Sequence, residues 1–156
     1  MPKGVGKMTG PGLAFRTAMA GKILLVDDYT TTRNALAFSL RQEGYQVVAV
    51  CDGNEAARRL SIESFDLVLS DFAMPGMDGL ALTRHIGRVA PQTPIIIMSG
   101  SVEINRGEAL SVGAFDFVEK PFVLNSLIAK IELAFATGAP NNQFQNRLAE
   151  NRQFIG

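Results

Sequence analysis

Five short apolar runs in the middle of the chain constrain its fold more than any other feature of the sequence. They read KILLVDD, YQVVAV, FDLVLSD, TPIIIMSG and the weaker FDFVEK. Each run is apolar at successive positions rather than at alternate ones, so we expect both faces of the corresponding strand to be covered. Strands covered on both faces are typical of parallel sheets. The runs therefore predict a parallel sheet that lies between helices.

The segments between and after these runs carry helical patterns. We expect helices at 30–43, 54–61, 80–89, 102–112 and 123–136. The last is the clearest, because its apolar residues recur at helical spacing, whereas 102–112 has the weakest apolar face. Strands that alternate with helices predict one doubly wound α/β domain over residues 21–138.

The composition changes outside this domain, and the overall charge and hydropathy limit the classes of function that the chain can have. Residues 1–20 are rich in glycine and have three basic side chains but no acidic one, which predicts a flexible basic extension. Residues 139–156 are predicted to form a polar tail or linker. The formal net charge of zero gives no reason to expect direct nucleic-acid binding. No apolar run is long enough for membrane insertion, and no secretory signal is recognisable, so we expect a cytoplasmic protein.

The single cysteine, Cys51, excludes an internal disulfide and suits a reducing compartment. Because it follows an apolar run, we expect a buried and unreactive thiol.

Polar side chains stand at the ends of four predicted strands. Asp27 and Asp28 end the first and Asp71 ends the third. Ser99 ends the fourth and Lys120 the fifth. Ligands of open parallel sheets bind beyond the carboxyl ends of the strands, so these side chains are expected to converge on one edge. Each alone could be structural, as Asp28 could cap the helix that follows it. Their joint placement indicates a site.

Three carboxylates held together repel one another, and such a cluster needs a positive partner. Mg²⁺ is the expected cofactor, because it accepts oxygen ligands in a partly hydrated site. Lys120 supplies a second positive charge, and Ser99 a hydroxyl. This combination is suited to stabilising phosphoryl oxygens during transfer.

Asp71 is the best candidate for a nucleophile that would form an acyl phosphate. It ends a rigid apolar strand, and the turn at 75–76 takes the chain aside so that the carboxylate stays accessible. Asp27 and Asp28 would hold the metal with Asp71, directly or through water. The backbone carbonyl of Ala73 could complete the set of ligands.

The motifs ILLVDD, DLVLSDFAMPGMDG, PIIIMSG and GAFDFVEKPF occur in this order. As a set they resemble the receiver domain of two-component response regulators, of the single-domain, chemotaxis-regulator-like kind, over residues 21–138. The resemblance implies a flavodoxin-like (βα)5 fold. It also implies that a histidine kinase or histidine phosphotransfer protein donates a phosphoryl group to Asp71, and that Asp27 and Asp28 are the metal-binding acid pair.

The resemblance assigns further roles near the strand ends. Ser99 matches the switch hydroxyl and Phe117 the switch aromatic. Lys120 matches the lysine that precedes a usually cis proline, here Pro121. The phosphorylation signal is then expected to reach a surface formed by the fourth helix, the fifth strand and the fifth helix. A downstream effector protein, or a second copy in a self-dimer, would bind that surface.

Two residues depart from common choices in the family. Phe117 has no hydroxyl where tyrosine is frequent. Ala73, two residues after Asp71, cannot orient a hydrolytic water as asparagine or glutamine would. We therefore predict a long-lived phosphoryl group on Asp71.

Other functions are compatible with parts of the pattern. The chain could be the receiver portion of a longer regulator that has a DNA-binding or enzymatic output domain. An aspartyl-phosphate phosphatase of the haloacid dehalogenase type would need Asp-x-Asp after the first strand, and here the acids are adjacent. A flavin or nucleotide module would need a phosphate-binding loop where VDDYTTTR stands. We expect a phosphoacceptor domain whose catalysis is limited to its own phosphorylation and dephosphorylation, rather than a turnover enzyme.

Overall fold

A computed structural model describes residues 21–137 of the chain. The predicted extension 1–20 and the predicted tail 139–156 lie outside the described residues. The strands are β1 (Lys22–Val26), β2 (Gln46–Val50), β3 (Leu67–Asp71), β4 (Ile95–Ser99) and β5 (Asp116–Glu119). The helices are α1 (Thr30–Gln42), α2 (Gly53–Ile62), α3 (Gly79–Val89), α4 (Arg106–Ser111) and α5 (Leu124–Thr137). Within residues 21–137, no helix has the length and apolar character needed to cross a membrane.

The five strands form one parallel sheet in the order β2-β1-β3-β4-β5. The chain leaves β1 in one direction to form β2, and then returns to the other side of β1 to form β3. Val26 pairs with Ser70, so Asp27 and Asp71 come next on neighbouring strands at the same edge. The predicted flavodoxin-like fold is confirmed, and the order reverses where the acidic residues lie.

Two apolar cores cover the faces of the sheet. Side chains of β1 alternate between them: Ile23 and Leu25 pack with α1 and α5, whereas Leu24 and Val26 pack with α2, α3 and α4. All four side chains are fully buried. This is the physical reason that the strands are apolar at successive positions.

Local signals set the ends of several helices. The Asp52 carboxylate accepts a hydrogen bond from the amide of Glu55 at the start of α2, and the Asp78 carboxylate accepts one from the amide of Ala81 at the start of α3. These N-caps satisfy amides that have no partner inside the helix. After α1, Gly44 has a φ of 97°, a conformation that favours glycine.

Two expectations from the sequence are wrong. The fourth helix does not begin at residue 102 but at Arg106, because Asn105 and Glu108 form a capping box that fixes its first turn. Cys51 is exposed rather than buried. It lies one residue beyond β2, an edge strand of the sheet, where the two apolar layers no longer cover the chain.

Candidate functional site

Three carboxylates meet where the sheet order reverses. Asp27, directly after β1, is fully buried, Asp71 at the end of β3 is partly buried, and Asp28 is exposed. One oxygen from each carboxylate lies within 4.8 Å of the others. The structure thus brings together the three acids predicted from the strand ends.

Backbone and side-chain contacts fix Asp27 in position. Its Oδ1 accepts a hydrogen bond from the amide of Tyr29 at 2.9 Å, and its backbone carbonyl accepts one from Nη1 of Arg33 at 2.8 Å. Its own amide donates to the carbonyl of Val50 at 3.2 Å. Asp28 is not used as a helix cap, since Tyr29 is the N-cap of α1 and makes no side-chain cap bond. The exposed Asp28 carboxylate is therefore available to a ligand.

Lys120 adds a cation to the three acids. Its Nζ lies 3.4 Å from Oδ2 of Asp27 and 3.3 Å from Oδ1 of Asp71. Its backbone amide donates to the carbonyl of Ser99 at 2.8 Å, which holds it against the end of β4. The Lys120–Pro121 peptide is cis, as the resemblance implied.

The electrostatics of Asp71 reflect this crowding. Burial raises the pKa of the Asp71 carboxyl above its usual value, and the charges of Asp27 and Asp28 raise it further. The ammonium of Lys120 opposes this rise in pKa but does not cancel it. With three carboxylates and one lysine, the cluster favours binding of a further cation.

The donor set fits a hard divalent cation. Mg²⁺ prefers oxygen ligands and retains water at an open site, and here carboxylate oxygens from Asp28 and Asp71 face a partly exposed edge. Ala73 is exposed and follows Asp71 by two residues.

The loop after Asp71 is shaped by two glycines. Gly76 has a φ of 77°, which permits the turn. A side chain at Gly79 would place its Cβ 2.8 Å from the carbonyl oxygen of Asp71. The amide of Gly79 donates to the carbonyl of Phe72 at 2.9 Å, and the amide of Phe72 donates to Oδ1 of Asp71 at 3.0 Å. The loop therefore folds back on β3 and orients the Asp71 carboxylate.

Ser99 and Phe117 lie on the neighbouring strands. Ser99, the last residue of β4, is buried, and its Oγ accepts the amide of Ser101 at 2.9 Å. Phe117 pairs with Ile97 and is buried in the core beside α4. The structure thus places the predicted hydroxyl at the same edge as the acids, and the predicted aromatic two residues before that edge.

Sequence reasoning missed two polar groups, one at the acidic site and one beside Phe117. Arg33 donates a hydrogen bond from Nη1 to the Asp27 carbonyl. Asp116, directly before Phe117, is a buried carboxylate that contacts Arg106 and Lys130. The available signal was an acid inside the apolar run FDFVEK, which needs a cation when it is buried.

Comparison with known proteins agrees with the fold. The family model described as "Response regulator receiver domain" matches residues 23–132. The receiver domain of a Francisella response regulator is 28% identical with a TM-score of 0.70, over 75% of this chain and 98% of that one.

Two further solved structures extend the comparison. The response regulator TrrA from Thermotoga maritima, solved in complex with Mg(2+)-BeF, is 30% identical with a TM-score of 0.67, over 72% of this chain and 97% of that one. NtrX from Brucella abortus, solved in complex with ADP, is 30% identical with a TM-score of 0.69, over 85% of this chain but only 29% of that one. By its motifs, its fold and these matches, the chain belongs to the family of response regulator receiver domains.

Proposed function

We propose that this receiver domain is a phosphoacceptor switch and that Asp71 is the acceptor. The observation that carries the proposal is the position of Lys120, whose Nζ lies 3.3 Å from Asp71 and 3.4 Å from Asp27 inside a cluster of three acids. This arrangement places one candidate nucleophile among groups that can neutralise phosphoryl oxygens. A histidine kinase or a histidine phosphotransfer protein is the proposed donor.

The Asp71 carboxylate has one oxygen suited to attack. Its hydrogen bonds from Phe72 and Lys120 both go to Oδ1, and within residues 21–137 Oδ2 accepts none. In the proposed step, an Asp71 carboxylate oxygen forms a bond to phosphorus as the phosphorus–nitrogen bond of a phosphohistidine breaks. The imidazole leaves with the electron pair of that bond and takes up a proton. The product is an acyl phosphate.

The proposed metal ligands are Asp27, Asp28, Asp71 and the backbone carbonyl of Ala73. Bound Mg²⁺ would neutralise charge on the phosphoryl oxygens. Because Asp27 is buried and already accepts hydrogen bonds from Tyr29 and Lys120, we propose that it binds the metal indirectly, through a water molecule. The TrrA structure, which holds a magnesium and beryllofluoride group, supports this choice of cofactor.

Lys120 is proposed to contact the transferred group. Its Nζ is close enough to Asp71 to reach a phosphoryl oxygen attached there, and its stem is anchored beside Ser99. A fixed ammonium at this position stabilises charge as it develops on the phosphoryl group and needs little rearrangement.

Ser99 and Phe117 are proposed to relay the change. The Ser99 hydroxyl oxygen accepts a hydrogen bond from the amide of Ser101. To donate a hydrogen bond to a phosphoryl oxygen, the hydroxyl would have to turn away from that amide. Phe117 packs against the core beside α4, so a shift of Ser99 would alter the packing between β4, β5 and α4. The face formed by α4, β5 and α5 is the proposed output surface, for a downstream effector or for a second copy of the chain.

The domain is regulatory, and we propose that its chemistry is restricted to phosphorylation and dephosphorylation of Asp71. It could act by itself or within a longer regulator. NtrX supports the second arrangement, since this chain covers 29% of that protein. We propose a cytoplasmic location, where a kinase would have access to the site.

The proposal is tested by incubating the protein with acetyl phosphate, with and without Mg²⁺, and measuring phosphoprotein on a phosphate-affinity gel. We expect Mg²⁺-dependent phosphorylation of the parent and none of Asp71→Asn. Asp66→Asn is the matched control, because Asp66 is an exposed acid just before the same strand, at its other end. Equal phosphorylation of Asp71→Asn and the parent would refute the assignment.

A further inference from the structure

A second charged cluster lies on the proposed output face, away from the acidic site. The Asp116 carboxylate, at the start of β5, is only 7% exposed. Its Oδ1 forms an ion pair with Nη1 of Arg106 at 2.5 Å and accepts a hydrogen bond from the amide of Phe117 at 2.7 Å. Its Oδ2 accepts a hydrogen bond from Nζ of Lys130 at 2.9 Å. We call Arg106, Asp116 and Lys130 the Asp116 cluster. It joins α4, β5 and α5 at the residue next to Phe117.

The helix that Arg106 begins buries little apolar surface of its own. It spans six residues, and Ala109 is its buried residue. Burial of one alanine contributes little apolar free energy compared with the leucines and isoleucines that hold α3 and α5. The buried side chain of Ile104, two residues before the helix, and the ion pair of Arg106 with Asp116 therefore fix the start of α4 to the sheet.

The two cationic contacts of Asp116 differ in exposure. The Arg106 side chain is 57% exposed, whereas that of Lys130 is 29% exposed. If Arg106 moves away, Asp116 keeps its bonds from Lys130 and from the amide of Phe117, so no buried charge is left without a partner. The contact with α4 can therefore open while the rest of the Asp116 cluster stays in place.

We propose that the Arg106–Asp116 ion pair is a restraint that holds α4 in its resting position and opposes the phosphorylation-driven switch. This inference rests on the proposed function, because it concerns the motion that a phosphoryl group on Asp71 would drive. Linkage requires that a contact present only in the resting state weakens binding of any ligand that selects the other state. Loss of the pair should then make α4 more mobile and strengthen binding of a phosphoryl analogue.

The test compares Arg106→Gln with two variants that make the same change of charge. Arg84→Gln alters an exposed arginine of α3, and Lys130→Gln removes the contact of Asp116 with α5 instead. Amide hydrogen exchange measures the mobility of α4 without any ligand. Calorimetric titration with beryllofluoride in Mg²⁺ measures the affinity for the analogue.

We expect the amide hydrogens of α4 to exchange with solvent about two- to fivefold faster in Arg106→Gln than in the parent. This factor corresponds to the free energy that an ion pair with an exposed partner contributes. We also expect Arg106→Gln to bind beryllofluoride more tightly by a similar factor. Arg84→Gln should match the parent in both measurements, and Lys130→Gln should leave exchange in α4 less affected than Arg106→Gln does.

The outcomes separate this inference from the proposed function. Unchanged exchange in α4 of Arg106→Gln would overturn the restraint. Faster exchange with unchanged or weaker beryllofluoride affinity would overturn its coupling to the switch, because the pair would then persist in both states. If the parent itself bound no beryllofluoride, the proposed function would fail, and the coupling with it, whereas exchange would still report on the restraint.

Discussion

Replacing Asp71 by asparagine should make the metal-free protein more stable, although it removes a contact with Lys120. Oxygens of Asp27 and Asp28 lie within 4.8 Å of Asp71, and Nζ of Lys120 lies at 3.3 Å. With an effective dielectric constant of about 20, each repulsion contributes at least about 3.5 kcal/mol and the attraction about 5 kcal/mol. The two repulsions exceed the attraction by about 2 kcal/mol, which solvent screening at this partly exposed site reduces to about 1–2 kcal/mol.

The assay is thermal unfolding of the parent and Asp71→Asn in EDTA at neutral pH. A gain of this size corresponds to a rise in Tm of roughly 4–8 °C for a domain of this length. Asp66→Asn, at the other end of β3, should show no such rise. A lower Tm for Asp71→Asn than for the parent would refute the reasoning, because it would mean that Lys120 already compensates the acids.

The dependence on pH and Mg²⁺ gives two internal checks on this prediction. Burial and the neighbouring acids raise the pKa of Asp71 in the folded state, so the destabilisation is present above that pKa and is lost as the pH falls through it. The Tm difference should therefore close below about pH 4. Mg²⁺ at about 100 times its Kd would stabilise the parent by about 2.7 kcal/mol and reverse the order of the two proteins.

Three further predictions concern the loop after Asp71 and the exposed thiol. Ala73→Asn should shorten the lifetime of the phosphoryl group on Asp71, measured as loss of phosphoprotein after removal of the donor; an unchanged lifetime would count against a role for this position in hydrolysis. Gly79→Ala should lower the free energy of unfolding by about 1–3 kcal/mol, because its Cβ would overlap the carbonyl oxygen of Asp71. Gly87→Ala, in the same helix with open space around it, should be neutral or stabilising by up to about 1 kcal/mol, and equal losses in both variants would contradict the steric argument. Cys51 is exposed, so iodoacetamide should label its thiol in the folded protein. Partial desolvation and the carboxylates of Glu55 and Asp52 raise the pKa of that thiol, so labelling at neutral pH should be slower than that of a model thiol. Protection from labelling until the protein unfolds would contradict the exposed position of Cys51.

The sheet and the acidic site could be predicted because both depend on short-range features of the sequence. Each strand is a continuous apolar run, and the residue that follows a parallel strand must lie at the carboxyl edge of the sheet. The pattern therefore predicts that Asp27, Asp71 and Lys120 lie together, without any knowledge of tertiary contacts. Their distances confirm that placement.

One error missed a local signal, and the others arose where packing or distant partners decide the structure. The start of α4 depends on the reciprocal bonds between Asn105 and Glu108, which outweigh the weak apolar pattern before them. Exposure of Cys51 depends on β2 being an edge strand, which the order of runs along the chain does not specify. The bonds of Asp116 join elements that are separate in sequence, so the run FDFVEK could show an isolated acid but not its partners.

The most direct test of the central claim is chemical identification of the phosphorylated residue. Borohydride reduces an aspartyl phosphate to homoserine, which peptide mass spectrometry can locate after treatment with acetyl phosphate and Mg²⁺. We predict homoserine at position 71 in the parent and at no position when Mg²⁺ is removed. Homoserine at position 27 or 28 instead, with Asp71 intact, would contradict the assignment of the phosphoacceptor.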